Sequence, residues 1–454
     1  MKRRTFIQTT ASAFALAPFA IGQAGQAANN KLNVAFIGSG GRAGNHIGFF
    51  SNNENIVAFC DVDEKRASDN YRKAPDAKRF KDFRVMFDQM ANEIDAVVVS
   101  TPDHTHFVAT YNAMALGKHV LTEKPLTHDI WQARTLKKAG HYFKVVTQMG
   151  NQGHATDGIR KVKEWYESGV TGKVHTVLSS FGGPSFGPNK YFQKPESHPP
   201  AKQAVPEHLD WQLWRGPVAK NVEYNSVYVP TRWRGFFDFG NAQLGDWACH
   251  TLDAPFWALD LGAPSSVEVL ERVSTAENFV PDQSLLKFTF PANKKRGPVV
   301  LYWGDGGLKG PIKEEWNLKG DIGSMCMVGE KGAISTGGRP NDPRLVNDDQ
   351  WSEFKKNLPA ETIRRIKGGH LQEWVDAIKG DGPAPGSNFD YASGLTEMTL
   401  LGVLAQRSGK NIEWDAKNMR VTNHPELNLF VREPVRKGWE CGDEVWAESI
   451  RRES

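Results

Sequence analysis

Two short stretches hold side chains suited to proton chemistry. In Gly245-Asp246-Trp247-Ala248-Cys249-His250, the carboxylate and the imidazole stand four residues apart. On a helix that spacing puts both on one face, and a histidine beside a carboxylate is a general base at neutral pH. Taken alone, such a pair is more often a surface hydrogen bond, and Pro255 limits how far the helix runs straight. The second stretch is Glu123-Lys124-Pro125. A lysine partly desolvated beside a cofactor can polarise a substrate hydroxyl or lower its pKa.

The elements that must position these groups are legible. Val34-Ala35-Phe36-Ile37 is a buried strand running into Gly38-Ser39-Gly40-Gly41-Arg42-Ala43. Gly38-x-Gly40-x-x-Ala43 is the dinucleotide fingerprint, with Ala at its third place. The helix behind it would aim its N-terminal amides at phosphate. A second strand, Ile56 to Cys60, ends in Asp61, about 20 residues on, where a ribose hydroxyl needs an acceptor. Asp61 would repel a 2′-phosphate and so favours NAD. Lys65 and Arg66 follow closely and keep NADP as the second candidate.

From Lys31 to Gln152, strand and helix alternate, which means right-handed crossovers and a parallel sheet. Ligands of such sheets bind at the carboxyl ends of the strands. The polar clusters sit there: Thr101, Pro102, His104 and His106 after Ile94–Val99, Glu123 and Lys124 after His119–Thr122, and Gln152 after Val145–Met149. With Gly38, Ser39, Gly40, Gly41, Arg42, Ala43 and Asp61, these are the expected cofactor contacts. His104-x-His106 has no further ligand set around it, so no metal is expected.

After Gly153 the texture changes to strands separated by Gly/Pro turns, a mostly antiparallel open sheet. The expected layout is an N-terminal Rossmann domain, 31–152, and a C-terminal α/β domain, 153–454. A Pro-rich irregular insertion covers 182–230, a length that usually marks a functional loop or a cover. Helical patterns in 366–408 are placed to pack back on the Rossmann domain. Gly183-Pro184-Ser185-Phe186-Gly187 matches a nucleophile elbow, but prolines rather than a helical pattern follow it. His154 and His370 read as structural.

With 39% hydrophobic and 24% charged residues, the chain has ordinary soluble composition. A net charge of +4 without a basic block argues against nucleic acid. Lys2-Arg3-Arg4-Thr5-Phe6-Ile7 resembles the twin-arginine export motif, followed by a mild apolar run and small residues near Ala28. Residues 1–28 are therefore expected to be a signal peptide and the mature protein periplasmic, without stable membrane insertion. The four cysteines have no paired spacing, so neither a disulfide framework nor a metal knuckle is expected.

Together, Gly38-x-Gly40-x-x-Ala43, Asp61, Ser100-Thr101-Pro102, Glu123-Lys124-Pro125 and Asp246-x-x-x-His250 stand in the order found in one family. The chain resembles the glucose–fructose oxidoreductase/inositol dehydrogenase (Gfo/Idh/MocA) family, especially its exported bacterial members, over most of Lys31 to Asp260. The resemblance implies Lys124, Asp246 and His250 as a catalytic trio. Trp233 and Arg234, in a Trp-Arg-Gly run ahead of the trio's second half, are the substrate contacts expected with it. It also implies self-association through the C-terminal sheet. The long insertion and an extended C-terminal tail depart from the family pattern. The expected activity is NAD-dependent hydride transfer at a ring hydroxyl carbon of a sugar, cyclitol or glycoside, with tightly held cofactor. A redox-assisted glycosidase and a nucleotide-bound sensor without turnover are the alternatives.

Overall fold

Residues of the first strand alternate between two apolar layers, and this sets the first half of the molecule. The computed structural model describes residues 31–274, 276 and 278–447. The expected export segment lies outside them. Strands β1 (Asn33–Ile37), β2 (Asn55–Cys60), β3 (Lys78–Phe80), β4 (Ala96–Val99), β5 (His119–Thr122) and β6 (Thr147–Met149) form one parallel sheet in the order β3-β2-β1-β4-β5-β6. The order reverses between β1 and β4, where such sheets bind ligands. Val34, Phe36, Val98 and Leu121 belong to one layer, and Ala35, Ile37, Val97 and Val99 to the other. Burial on both faces explains why these strands read as continuous apolar runs.

The helices that follow β1, β2, β4 and β5 are α1 (Ala43–Asn53), α2 (Glu64–Tyr71), α3 (Asp103–Ala115) and α4 (Ile130–Phe143). Local chemistry starts two of them. Asp63 caps α2 by accepting from Arg66 N at 3.0 Å, and Asp129 caps α4 by accepting from Gln132 N at 2.8 Å. The layer under α1 is completed from far along the chain. Helix α5 (Gly369–Lys379) buries Leu371, Trp374 and Val375 against Phe36, Ile47 and Phe50, the i, i+3, i+4 face of an amphipathic helix.

The second sheet contains β7 (Val174–Ser180), β8 (Ser266–Val273), β9 (Gln283–Phe290), β10 (Val299–Asp305), β11 (Met325–Gly329), β12 (Ala333–Thr336), β13 (Arg344–Leu345), β14 (Ile412–Asp415) and β15 (Arg420–Val421). Its order is β13-β12-β11-β7-β10-β9-β8-β14-β15, and every pairing is antiparallel except β7 with β10. The α/β class and the mostly antiparallel second sheet agree with the sequence reading. The long helix α6 (Phe389–Ser408) ties the two sheets together. Its Glu397 takes two hydrogen bonds from Arg134 of α4, at 2.6 and 2.7 Å, and one from Trp414 Nε1 of β14 at 3.0 Å.

The 182–230 segment carries one short helix, Trp211–Arg215, capped by Asp210. Trp211 and Trp214 stack at 4.7 Å and pack on Phe239. The segment crosses to the β2–α2 corner. There Asp210 N donates to Val62 O at 2.9 Å, Glu64 N to His208 O at 3.2 Å, and Asp63 bridges Leu209. The C-terminal tail pins it from the other side through Arg436 N and Pro217 O at 2.8 Å. No helix follows Gly183–Gly187, so Ser185 is not on a nucleophile elbow.

Candidate active site

Lys124 and Asp246 lie 122 residues apart in the chain and meet at one cavity of about 500 Å³. Lys124 lies two residues past the end of β5, at the carboxyl edge of the parallel sheet. Its Nζ donates to Asp246 Oδ1 at 2.7 Å and to the Asp246 carbonyl at 2.6 Å. Arg234 Nε approaches the same carboxylate oxygen at 3.3 Å. Burial alone would raise the Asp246 carboxyl, but Lys124 and then Arg234 outweigh it and hold the group below the usual carboxylate range. Asp246 is therefore an anion clamped between two cations.

His250 is 2% exposed. Burial, then the positive charges of Lys124 and Arg339, push its pKa well below the ordinary histidine value. The ring is neutral at physiological pH. Its Nδ1 stands 2.9 Å from Asn151 Oδ1, and the ring lines the cavity beside Lys124, Asp246, Trp233 and Trp247. Leu244–Ala248 forms a π-helical turn that continues as α-helix through Cys249–Thr251. Widened turns of this kind are frequent at functional sites.

The other end of the cavity is the glycine loop. Gly38 has φ +80°, and a Cβ there would stand 2.7 Å from the Ser100 carbonyl carbon, so glycine lets β1 turn beside β4. Asp61 Oδ2 accepts from Ser39 N at 2.7 Å and Gly40 N at 3.0 Å, and its Oδ1 from Asp63 N at 2.9 Å. Desolvation nonetheless raises its pKa, because the amides of Asp63, Ser39 and Gly40 pull it down less. Glu123 shows the reverse balance. Burial raises it, but His46, Arg42 and Lys124 together hold it well below its ordinary value. Arg42 bridges Glu123 at 2.9 Å and Gln152 at 3.1 Å, tying the start of α1 to the segment after β6.

A dinucleotide fits these residues. The buried hydroxyls of Thr101 and Ser39 have no hydrogen-bond partner among the described residues, and the glycine loop opens onto the cavity. Gly38, Gly40, Gly41, Arg42, Asp61, Thr101, Pro102, His106, Glu123, Lys124 and Gln152 all line it, as do Trp233 and Arg234. Ser39 and Ala43 belong to the loop and the start of α1. Two expectations need correction. His104 does not reach the cavity: its ring sits 2.8 Å from Trp214 O and 3.2 Å from Phe239 O, packed on both side chains. Asp246 does not hold His250 by a shared helix face. It engages Lys124 and Arg234, while Asn151 faces the imidazole.

Several lining residues carried no signal in the sequence: Tyr191 and Trp214 from the insertion, Thr231 just after it, Arg339 after β12, and Trp439 from the tail. Asn151 had one available cue, its place at the carboxyl end of β6 next to Gln152. Among the described residues no group of three or more His, Cys, Asp and Glu could hold a metal ion. No helix among them is long and apolar enough to cross a membrane.

Residues 32–150 match the oxidoreductase family with an NAD-binding Rossmann fold, and residues 156–280 match the C-terminal alpha/beta domain of the same family. The chain belongs to the Gfo/Idh/MocA oxidoreductase family. Among curated relatives, an inositol 2-dehydrogenase of Corynebacterium glutamicum (strain R) is 27% identical over 165 residues, 36% of this chain and 48% of that protein. D-glucoside 3-dehydrogenase of Escherichia coli (strain K12) is 29% identical over 170 residues, 35% of this chain and 47% of that protein. The chain thus spans about half the length of the curated relatives it matches. Solved structures of like fold include the WlbA dehydrogenase from Bordetella pertussis in complex with NADH and UDP-GlcNAcA. It has a TM-score of 0.56 at 18% identity, covering 85% of this chain and 99% of that one. Aldose-aldose oxidoreductase from Caulobacter crescentus, complexed with glycerol, has a TM-score of 0.52 at 17% identity, covering 85% and 100%.

Proposed function

We propose that this chain is an NAD-dependent oxidoreductase acting on a ring hydroxyl carbon of a sugar, cyclitol or glycoside. One observation carries the reading: the Lys124–Asp246 pair and a neutral, inward-facing His250 share a single cavity with the glycine loop. Lys124 would donate to the substrate oxygen, its ammonium fixed by Asp246, which Arg234 also contacts. His250 Nε2, which has no partner among the described residues, would take the hydroxyl proton. Bound NAD would supply the hydride acceptor. The Trp233, Trp247 and Tyr191 rings at the cavity suit the apolar face of a sugar ring. The likeness to inositol and glucoside dehydrogenases supports the substrate class. A panel of myo-inositol, D-glucose, methyl D-glucoside and D-glucuronate, read by nicotinamide fluorescence, tests it. No reduction with any polyol or sugar would remove the reading.

The nucleotide is further proposed to stay bound through the cycle. The 182–230 segment and Trp439 of the tail line the cavity, and the segment is hydrogen-bonded to the β2–α2 corner beside Asp61. A retained cofactor must return each hydride it takes. That keeps a second reading open, glycoside cleavage through transient oxidation, elimination, hydration and re-reduction. Release of free sugar from an aryl glycoside with no added cofactor separates it from simple oxidation. Arg3-Arg4-Thr5-Phe6-Ile7 supports twin-arginine export of the loaded protein to the periplasm, and cell fractionation with an Arg3→Lys/Arg4→Lys variant tests it. Self-association through the second sheet is proposed on the family resemblance, and sedimentation of the purified chain tests it.

A further inference from the structure

Behind His250 lies a buried polar chain that the trio does not explain. Asn151 is fully buried. Its Nδ2 donates to the Cys249 carbonyl at 2.8 Å and to Asp253 Oδ2 at 2.9 Å. Two acceptors on one side fix which end of the amide faces them. Oδ1 must then face His250 Nδ1, at 2.9 Å. A carbonyl oxygen there can only accept, so the neutral ring must carry its proton on Nδ1. Asp253, also fully buried, is itself pinned: its Oδ1 accepts from His154 Nδ1 at 2.9 Å and from Tyr391 OH at 2.5 Å. The chain crosses from the parallel sheet edge to the helices of the second domain.

We propose that Asn151, held by Asp253, is the positioning residue that fixes His250 as its Nδ1–H tautomer and so leaves Nε2 as the proton acceptor. This rests on the oxidoreductase reading above. In the oxidation direction the substrate O–H bond would break with its proton passing to Nε2, and NAD, when bound, would be the acceptor for the hydride of the same carbon. The imidazolium keeps its Nδ1–H on Asn151 Oδ1 throughout. A neutral amide orients the ring without adding charge. The charges that face His250 are then Lys124, Arg339, Asp246 and Glu123, with Asp253 one residue beyond Asn151.

The test needs no substrate, so its failure is separate from failure of the oxidoreductase reading. The full chain is labelled with ¹⁵N-imidazole histidine, and His250→Gln assigns the His250 signal among the 13 histidines. A protonated Nδ1 and an unprotonated Nε2 at pH 7.5 are expected, and an Nε2–H tautomer or a rapidly exchanging ring would overturn the proposal. Asn151→Asp keeps the acceptor but places a charge against Nδ1, and is expected to raise the His250 titration midpoint by about one unit or more. An unmoved midpoint in a folded Asn151→Asp protein would also overturn it. If that variant does not fold, the wild-type spectrum decides alone.

Discussion

Asp61 and Asp246 stand at opposite ends of one cavity, and their carboxyls move in opposite directions. At the cofactor end, Asp61 is met by backbone amides, and desolvation wins, so its pKa rises. At the catalytic end, Asp246 suffers the same desolvation but faces the full charges of Lys124 and Arg234, and its pKa falls. Dipoles position a carboxylate, whereas full charges also keep it ionised. The first arrangement suits a group that reads ribose hydroxyls. The second suits one that must hold a lysine ready for an oxygen whose charge changes during reaction.

The contrast is broken most severely at its charged end. Lys124→Ala and Asp246→Asn are each expected to lower turnover by ~10²–10⁴-fold while leaving bound nucleotide and fold intact. Steady-state rates on the substrate that responds in the sugar panel, with circular dichroism for folding, check this. Near-normal rates in Asp246→Asn would mean that the Lys124 clamp does not matter. At the dipolar end, Asp61→Ala is expected to weaken NAD binding about tenfold, the scale of a lost hydrogen bond to a charged group. It should narrow the preference over NADP as well, and titration calorimetry with both nucleotides reads both effects. An unchanged affinity ratio would remove Asp61 from the ribose site.

Smaller effects sharpen the picture. His208→Ala removes the 2.9 Å contact to Asp63 that fastens the insertion to the cofactor end. Nucleotide release is expected to speed up a few-fold, with single-turnover hydride transfer unchanged. Equal release rates would argue that the insertion does not retain the cofactor. Arg339→Gln removes one of the charges that lower the His250 pKa. The neutral base is lost only as pH falls through that lowered value. The acid limb of kcat/KM should therefore lie below 6.5 in the wild type and move up toward it in the variant, by less than a unit. A limb that stays put or moves down would contradict the assignment of His250 as the base.

What could be read from the sequence follows the range of the contacts. The β1–Gly38–Gly40–Ala43 turn is one contiguous segment, so strand pattern and glycines were enough. Lys124 and Asp246 were legible as residue types, but their 2.7 Å contact joins separate domains and leaves no local trace. Asn151 offered only its place after β6, because its partners lie about a hundred residues away. His104 misled because the strand end predicts a ligand-facing position, while the insertion brings Trp214 and the following segment Phe239 to enclose it. The placement of α5 against β1 also depends on packing, not on its own amphipathic pattern, which says only that one face is buried.

The most direct test of hydride transfer in this cavity is a single-turnover experiment on the purified chain and its His250→Ala variant, both carrying equal nucleotide. Mixed rapidly with the responsive sugar, the wild type should form up to one reduced nicotinamide per chain in a fast phase. In His250→Ala the rate of that phase should fall at least ~10²-fold with the nucleotide still bound. The same fast phase in both proteins would show that His250 is not the base, and the proposed chemistry of the Lys124–Asp246–His250 site would be wrong.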